Sequence, residues 1–196
     1  MNALRLLKTT TVLAFAVLVG ACAHPISLST TTVPERVESQ LINKKVAYAI
    51  SEADRSKQVI TPGGGGDKVS YFPYRDLEKS IRDALRTVYS DVVAVKSPDD
   101  AEGIKGAAAV LVFTPVFTTN SSSPSPFTWP PTVFTTQVAC VVTDASGMEI
   151  ARVTVTGNGA AEFAEFKSDF GLSAKRATDD MATKLAAEIR RNEKLR

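Results

Sequence analysis

Histidine is nearly absent from this sequence, cysteine is scarce, and neither sign of charge dominates. His24 is the one histidine, Cys22 and Cys140 are the two cysteines, and 23 Lys and Arg stand against 21 Asp and Glu. Each shortage excludes something. A Ser–His or Cys–His nucleophile pair needs a histidine in the body of the fold, and His24 lies close to the start of the chain. Zinc sites are built mainly from Cys and His, and neither is present in number. Carboxylates cluster at Asp99-Asp100-Glu102 and at Asp179-Asp180, but neither group has the spacing of a calcium-binding loop. No two acids stand out as a pair for glycoside cleavage. The expectation is therefore no catalytic residue, no metal site and no cofactor, with an acid-based hydrolase as a remote alternative.

The near-balance of charge is closer than it looks. Arg5 and Lys8 are the only charged residues before Cys22, so they account for the whole formal charge of +2. The rest of the chain is formally neutral and has no dense basic stretch. That argues against a nucleic-acid partner.

What the chain does have is a distinctive front. Basic Arg5 and Lys8 precede an apolar run, Val12 to Val19, and then small Gly20 and Ala21 lead to Cys22. Basic, apolar, small-residue order is the layout of a secretory signal. The run is shorter than the roughly 20 residues needed to span a bilayer. Val19-Gly20-Ala21-Cys22 resembles the lipobox of bacterial lipoproteins. The resemblance implies that residues 1–21 are removed and that Cys22 carries a diacylglycerol and an N-acyl chain, with membrane contact through that anchor. Two or more chains hold a protein stably where one does so only marginally. Ala23 at the next position implies an outer-membrane, periplasm-facing location.

Lipidation of Cys22 leaves Cys140 without a disulfide partner. Cys140 sits in the strand-like TTQVACVVT, where a buried thiol behaves as a small hydrophobe. A reactive thiol needs a neighbouring base or cation to lower its pKa.

Residues Ala23 to Pro34 are rich in Ser and Thr and bounded by proline. They read as a tether, so the lipidated N-terminus and flexible tether are assigned to 22–40 and a single domain to 41–196. Within the domain, Val46–Ile50 reads as a strand. Gln58–Thr61 and Val69–Phe72 are candidates for pairing around four glycines, Gly63 to Gly66. These glycines do not make a phosphate loop, because Asp67 intrudes and Val69 stands where Ser or Thr is required. A flexible surface loop is the expectation.

From Pro73, the residues Leu77, Ile81, Ala84, Leu85 and Val88 recur at helical spacing, with Pro73 suited to a first turn and Glu78 and Arg82 placed to pair. Val92–Val95 reads as a short strand and the following SPDDAEGIKG as a connector or single turn. Ala107–Thr119 is apolar on both faces, as in a strand covered twice, and Pro115 predicts a bulge or an edge. Thr132–Thr143 and Met148–Thr156, joined by the Asp144–Gly147 turn, complete a three-strand meander, with the last strand able to continue to Phe163. A helix with an N-cap near Ser168-Asp169 carries the stripe Phe170, Ala174, Ala177, Met181, Leu185 and Ile189. The charged tail is expected to fray. The fold class is α+β: an antiparallel-dominated sheet of about four or five strands with two amphipathic helices on one face.

One loop stands apart. Asn120–Pro131 carries Phe127 and Trp129 among serines and prolines, with no charge. These aromatics either fold back over the end of the sheet or contact an envelope protein or the lipid surface, where Trp is well placed.

The element order, with the blocks YRDLEKSI and VTDASGMEI, resembles the YajG-type lipoproteins. More distantly it resembles the lipopolysaccharide-assembly lipoprotein LptE and the N-terminal domain of TolB. That resemblance implies a non-enzymic binding or assembly role at the outer membrane. A lipid or glycan binder, using a groove between sheet and helices, is the alternative.

Overall fold

The computed structural model describes residues 23–30, 32–124 and 127–196. Arg5, Lys8, the Val12–Val19 run and Cys22 lie outside the described residues. The elements are β1 (His24–Pro25), β2 (Ile42–Ala49), α1 (Glu52–Arg55), β3 (Val59–Pro62), β4 (Lys68–Tyr71), α2 (Pro73–Arg86), β5 (Tyr89–Val95), α3 (Ala101–Ala107), β6 (Leu111–Ser122), β7 (Val133–Asp144), β8 (Glu149–Ala160), α4 (Phe163–Phe166) and α5 (Leu172–Arg191).

The fold is α+β with two sheets. The larger has the order β5-β2-β6-β7-β8, and the smaller the order β1-β4-β3. The meander β6-β7-β8 is antiparallel and in register over almost its whole length. Its first turn partner, Asp144, receives Ser146 N at 2.8 Å and Met148 N at 3.0 Å on one carboxylate oxygen. Gly147 sits at φ 88, where only glycine is at ease.

The sheet is antiparallel-dominated, as expected, but not wholly antiparallel. β2 runs parallel to both β5 and β6, so the sheet is mixed. Parallel neighbours require a crossover, and α2 supplies it between β2 and β5. Side-chain period reports which face a residue occupies, not strand direction, so the sequence pattern was silent on this point. β2 is buried on both faces: Val46 and Tyr48 meet the main core, while Ala47 and Ala49 meet a smaller one with Val95, Ile104 and Val112. The smaller core lies under α3, which replaces the expected connector. Asp100 caps α3 by accepting Gly103 N at 3.0 Å.

Both long helices pack on one face of the sheet, as the pattern predicted. From α2, Leu77, Ile81 and Leu85 are fully buried, and from α5, Ala177, Met181, Leu185 and Ile189. Opposite them stand Phe134, Val138, Cys140 and Val142 of β7. Each large side chain so buried contributes about 2 kcal/mol of hydrophobic stabilisation. The groove proposed for a lipid or glycan is thus occupied by core side chains.

Several local expectations shift. Pro115 pairs with Cys140 without a bulge. It lies past Phe113, the last β6 residue paired with β2, so the missing N–H falls on a side β2 has left. The N-cap of the last helix is Gly171 rather than Ser168 or Asp169, because a separate helix, α4, intervenes. Glu78 turns away from Arg82 to Arg55, with two contacts of 2.8 Å. The C-terminal tail does not splay: Leu195 is buried, and its carbonyl accepts the Tyr89 hydroxyl at 3.0 Å.

The stretch assigned as a tether is also different. β1 pairs in parallel with β4, aligning His24 with Val69. Ile26 N donates to Ser70 O at 3.0 Å, and Leu28 is fully buried in the core. The chain is therefore fastened to the body from His24 onward.

Candidate functional site

Leu28 is apolar among polar residues, and its burial holds the start of the described chain against β4. This sets His24 at one end of the molecule. The His24 ring lies 4.1 Å from the Trp129 ring, tilted by 32°. Its Nε2 is 3.6 Å from an oxygen of Asp67. Trp129 in turn meets Phe170 at 4.7 Å. The sequence offered no link between residue 24 and residue 129; strand pairing of β1 makes it.

The loop carrying Trp129 rests on the four-glycine segment. Gly64 N donates to Trp129 O at 2.9 Å. A Cβ on Gly64 would stand 1.5 Å from Thr128 O, and one on Gly63 would stand 2.3 Å from Trp129 O. So the glycines are the tip of the β3–β4 hairpin, as expected, but they are also a bed for the aromatic loop. Only residues without side chains let two backbones approach this closely. Beside them lies an open cavity of about 650 Å³ lined by Ile60, Pro62, Lys68 and Ser123 among others.

A second loop completes this end. α4 begins with a capping box in which Glu162 and Glu165 satisfy each other's backbone N–H groups, a common device at helix starts. Glu165 also binds Arg176 of α5 at 2.7 and 3.1 Å. The Arg176 guanidinium, helped by the Glu162 backbone, holds the Glu165 carboxyl down at about 2. This clamp presents Phe163 while Phe166 turns into the core.

Phe127, Trp129, Phe163, Phe166 and Phe170 surround a cavity of about 260 Å³, with Lys167 and Pro130 at its rim. Phe127 is 95% exposed, Phe163 71% and Phe170 46%, whereas Trp129 is half-buried. The structure therefore divides the two expected contact residues. Trp129 folds back against His24 and the core, and Phe127 projects into solvent. Phe163 and Phe170 join the patch although the sequence pattern predicts Phe170 in the buried stripe and Phe163 at the possible end of the last strand, which instead stops at Ala160. No spacing in the sequence marks them out, since Phe166 between them is buried.

Elsewhere the side chains are engaged in structure. The Cys140 thiol is buried and pushed up to about 12 by desolvation, so it is a thiol and no nucleophile at neutral pH. Asp180 accepts Asn158 N at 2.8 Å and Lys184 at 2.6 Å. Asp100 caps α3, as above. Among the described residues, no three His, Cys, Asp or Glu side chains converge as metal ligands. No helix among them is long and apolar enough to cross a membrane.

No protein-family model matches this chain, and no curated protein sequence does. Solved structures similar in shape include three. One is a Xanthomonas campestris protein of the DUF330 family model, at 11% identity and a TM-score of 0.48, covering 87% of this chain and 96% of the other. A second is a minor lipoprotein from Acinetobacter baumannii, at 14% identity and a TM-score of 0.45, covering 76% and 94%. A third is a PelC dodecamer from Paraburkholderia phytofirmans, at 16% identity and a TM-score of 0.42, covering 80% and 93%.

Proposed function

We propose that this chain is a lipoprotein of the bacterial cell envelope, anchored through Cys22 in the outer membrane. It faces the periplasm and acts by binding or assembly rather than by catalysis. The lipobox-like Val19–Cys22 and the resemblance to YajG-type lipoproteins support the anchor. The observation that carries the working mode is the exposed Phe127, Phe163 and Phe170 patch beside His24, two residues from Cys22. Large exposed apolar patches mark interaction sites. Cys140 is sealed in the core, Asp100 caps a helix and Asp180 pairs with Lys184.

Growth with labelled palmitate tests the anchor. The native chain should take up label and sediment with outer membranes, and Cys22→Ala should lose both. An unlabelled, soluble native chain would overturn the reading.

A further inference from the structure

We infer that the aromatic patch is a second membrane contact: Phe127, Phe163 and Phe170 enter the bilayer surface that holds the Cys22 anchor, and so fix how the domain lies on it. The inference rests on the lipoprotein reading of Cys22, and deepens it. Its warrant is the lack of slack. His24 is already paired with β4 and stacked on Trp129 at 4.1 Å. Two residues of chain reach at most about 7 Å. A lipidated Cys22 at the bilayer surface therefore brings His24 down to that surface, and Trp129 with it. A long tether would have let the domain stand off in any orientation; β1 and the buried Leu28 remove that freedom.

The chemistry of this end fits a lipid interface. Trp129 presents an amphipathic ring at headgroup depth, where Trp is favoured. The three phenylalanines protrude beyond it as apolar pegs. Two charge pairs flank them, Glu165 with Arg176 and Asp169 with Lys175, and the exposed Glu162 and Lys167 beside the rings are of opposite sign. Paired charges cost little at a polar headgroup layer and give no strong preference for anionic lipid. Contact should thus depend on apolar area and vary little with salt, unlike a polybasic patch.

Trp129 is the one tryptophan in the chain, so it reports on its own position. The full-length lipidated protein is placed in vesicles of phosphatidylethanolamine and phosphatidylglycerol whose acyl chains carry bromine, a contact quencher. Trp129 emission should fall relative to unbrominated vesicles, at low and high salt alike. The double variant Phe127→Ser, Phe163→Ser should lose most of that quenching while keeping its palmitate and its melting temperature. Unquenched emission from protein that floats with the vesicles would overturn the inference. So would a photocrosslinker at position 127 that captures a protein instead of lipid. Failure of the lipoprotein reading shows separately, as Cys22 without palmitate. The same vesicles added to that unlipidated protein then decide the patch: quenching upholds it, and no quenching overturns it.

Discussion

Two pairs of glycines do the same physical job in different places. Gly157 and Gly159 in β8 let the backbone of α5 lie directly on the sheet. A Cβ on Gly157 would stand 2.0 Å from Ala177 O, and one on Gly159 would stand 2.0 Å from Ser173 O. Gly63 and Gly64 let the backbone at residues 128 and 129 lie on the β3–β4 hairpin. In the first case the contact is between two regular elements with the main core around it. In the second it is between a hairpin tip and a surface loop, with the aromatic patch above it. Close approach of backbones is thus used once to make the fold and once to shape a surface, and the two uses should separate experimentally.

The largest effect is expected at the core pair. Gly157→Ala drives a methyl into Ala177 O and Met181 N, backbone atoms of a helix that cannot yield locally. Overpacking of this kind costs about 3 kcal/mol, or a melting temperature lower by about 10 °C for a chain of this size. The same small drop as at an exposed site would show that α5 shifts freely on β8, and the comparison would collapse.

Gly64→Ala should behave differently. Its methyl meets Thr128 O, which belongs to a surface loop and not to a regular element of the core. The stability loss should be about 1 kcal/mol, but Trp129 must leave its seat against His24. Trp129 emission should move to the red and its quenching by brominated lipid should fall. A variant with unmoved emission would show that the glycines do not support the loop.

The core was readable because burial imposes a period. Leu77, Ile81 and Leu85, or Met181, Leu185 and Ile189, each repeat at the spacing of their element, and the structure places them as expected. The turn at Asp144–Gly147 was equally legible, since its chemistry is local. Strand direction was not, because β2 shows the same buried pattern beside parallel or antiparallel neighbours. The aromatic end was half legible. Its composition singled out Phe127 and Trp129, but the partners come from residues distant in sequence: His24 through β1, Gly64 through its hairpin, Phe163 and Phe170 through a clamp on α5. Leu28 shows the cost of reading by composition. One leucine among Ser and Thr left the segment looking like a tether, yet its burial ties the segment down.

The smallest expected effect concerns that clamp and would sharpen the contrast between core and patch. Glu165 in the folded chain titrates at about 2, below the ordinary 4.5, chiefly through Arg176. A depressed carboxyl contributes stability that is present above its ordinary pKa. That contribution is lost as pH falls through the folded value, here between about 4.5 and 2. The pair is exposed, so its share of global stability is slight and salt-screened. Its local share is larger, because Glu165 and Arg176 join α4 to α5 and Arg176 also donates to Ala160 O at 2.7 Å. Acidification from pH 5 toward pH 3 should therefore lower amide protection, the exchange rate being taken relative to an unstructured chain at the same pH, at residues 163–166 while protection within β7 stays high. Arg176→Gln should lower that protection at pH 5 and flatten its dependence on pH. Equal responses in α4 and β7 would mean that the phenylalanine platform opens only when the whole fold does, and that the core and the patch are one cooperative unit.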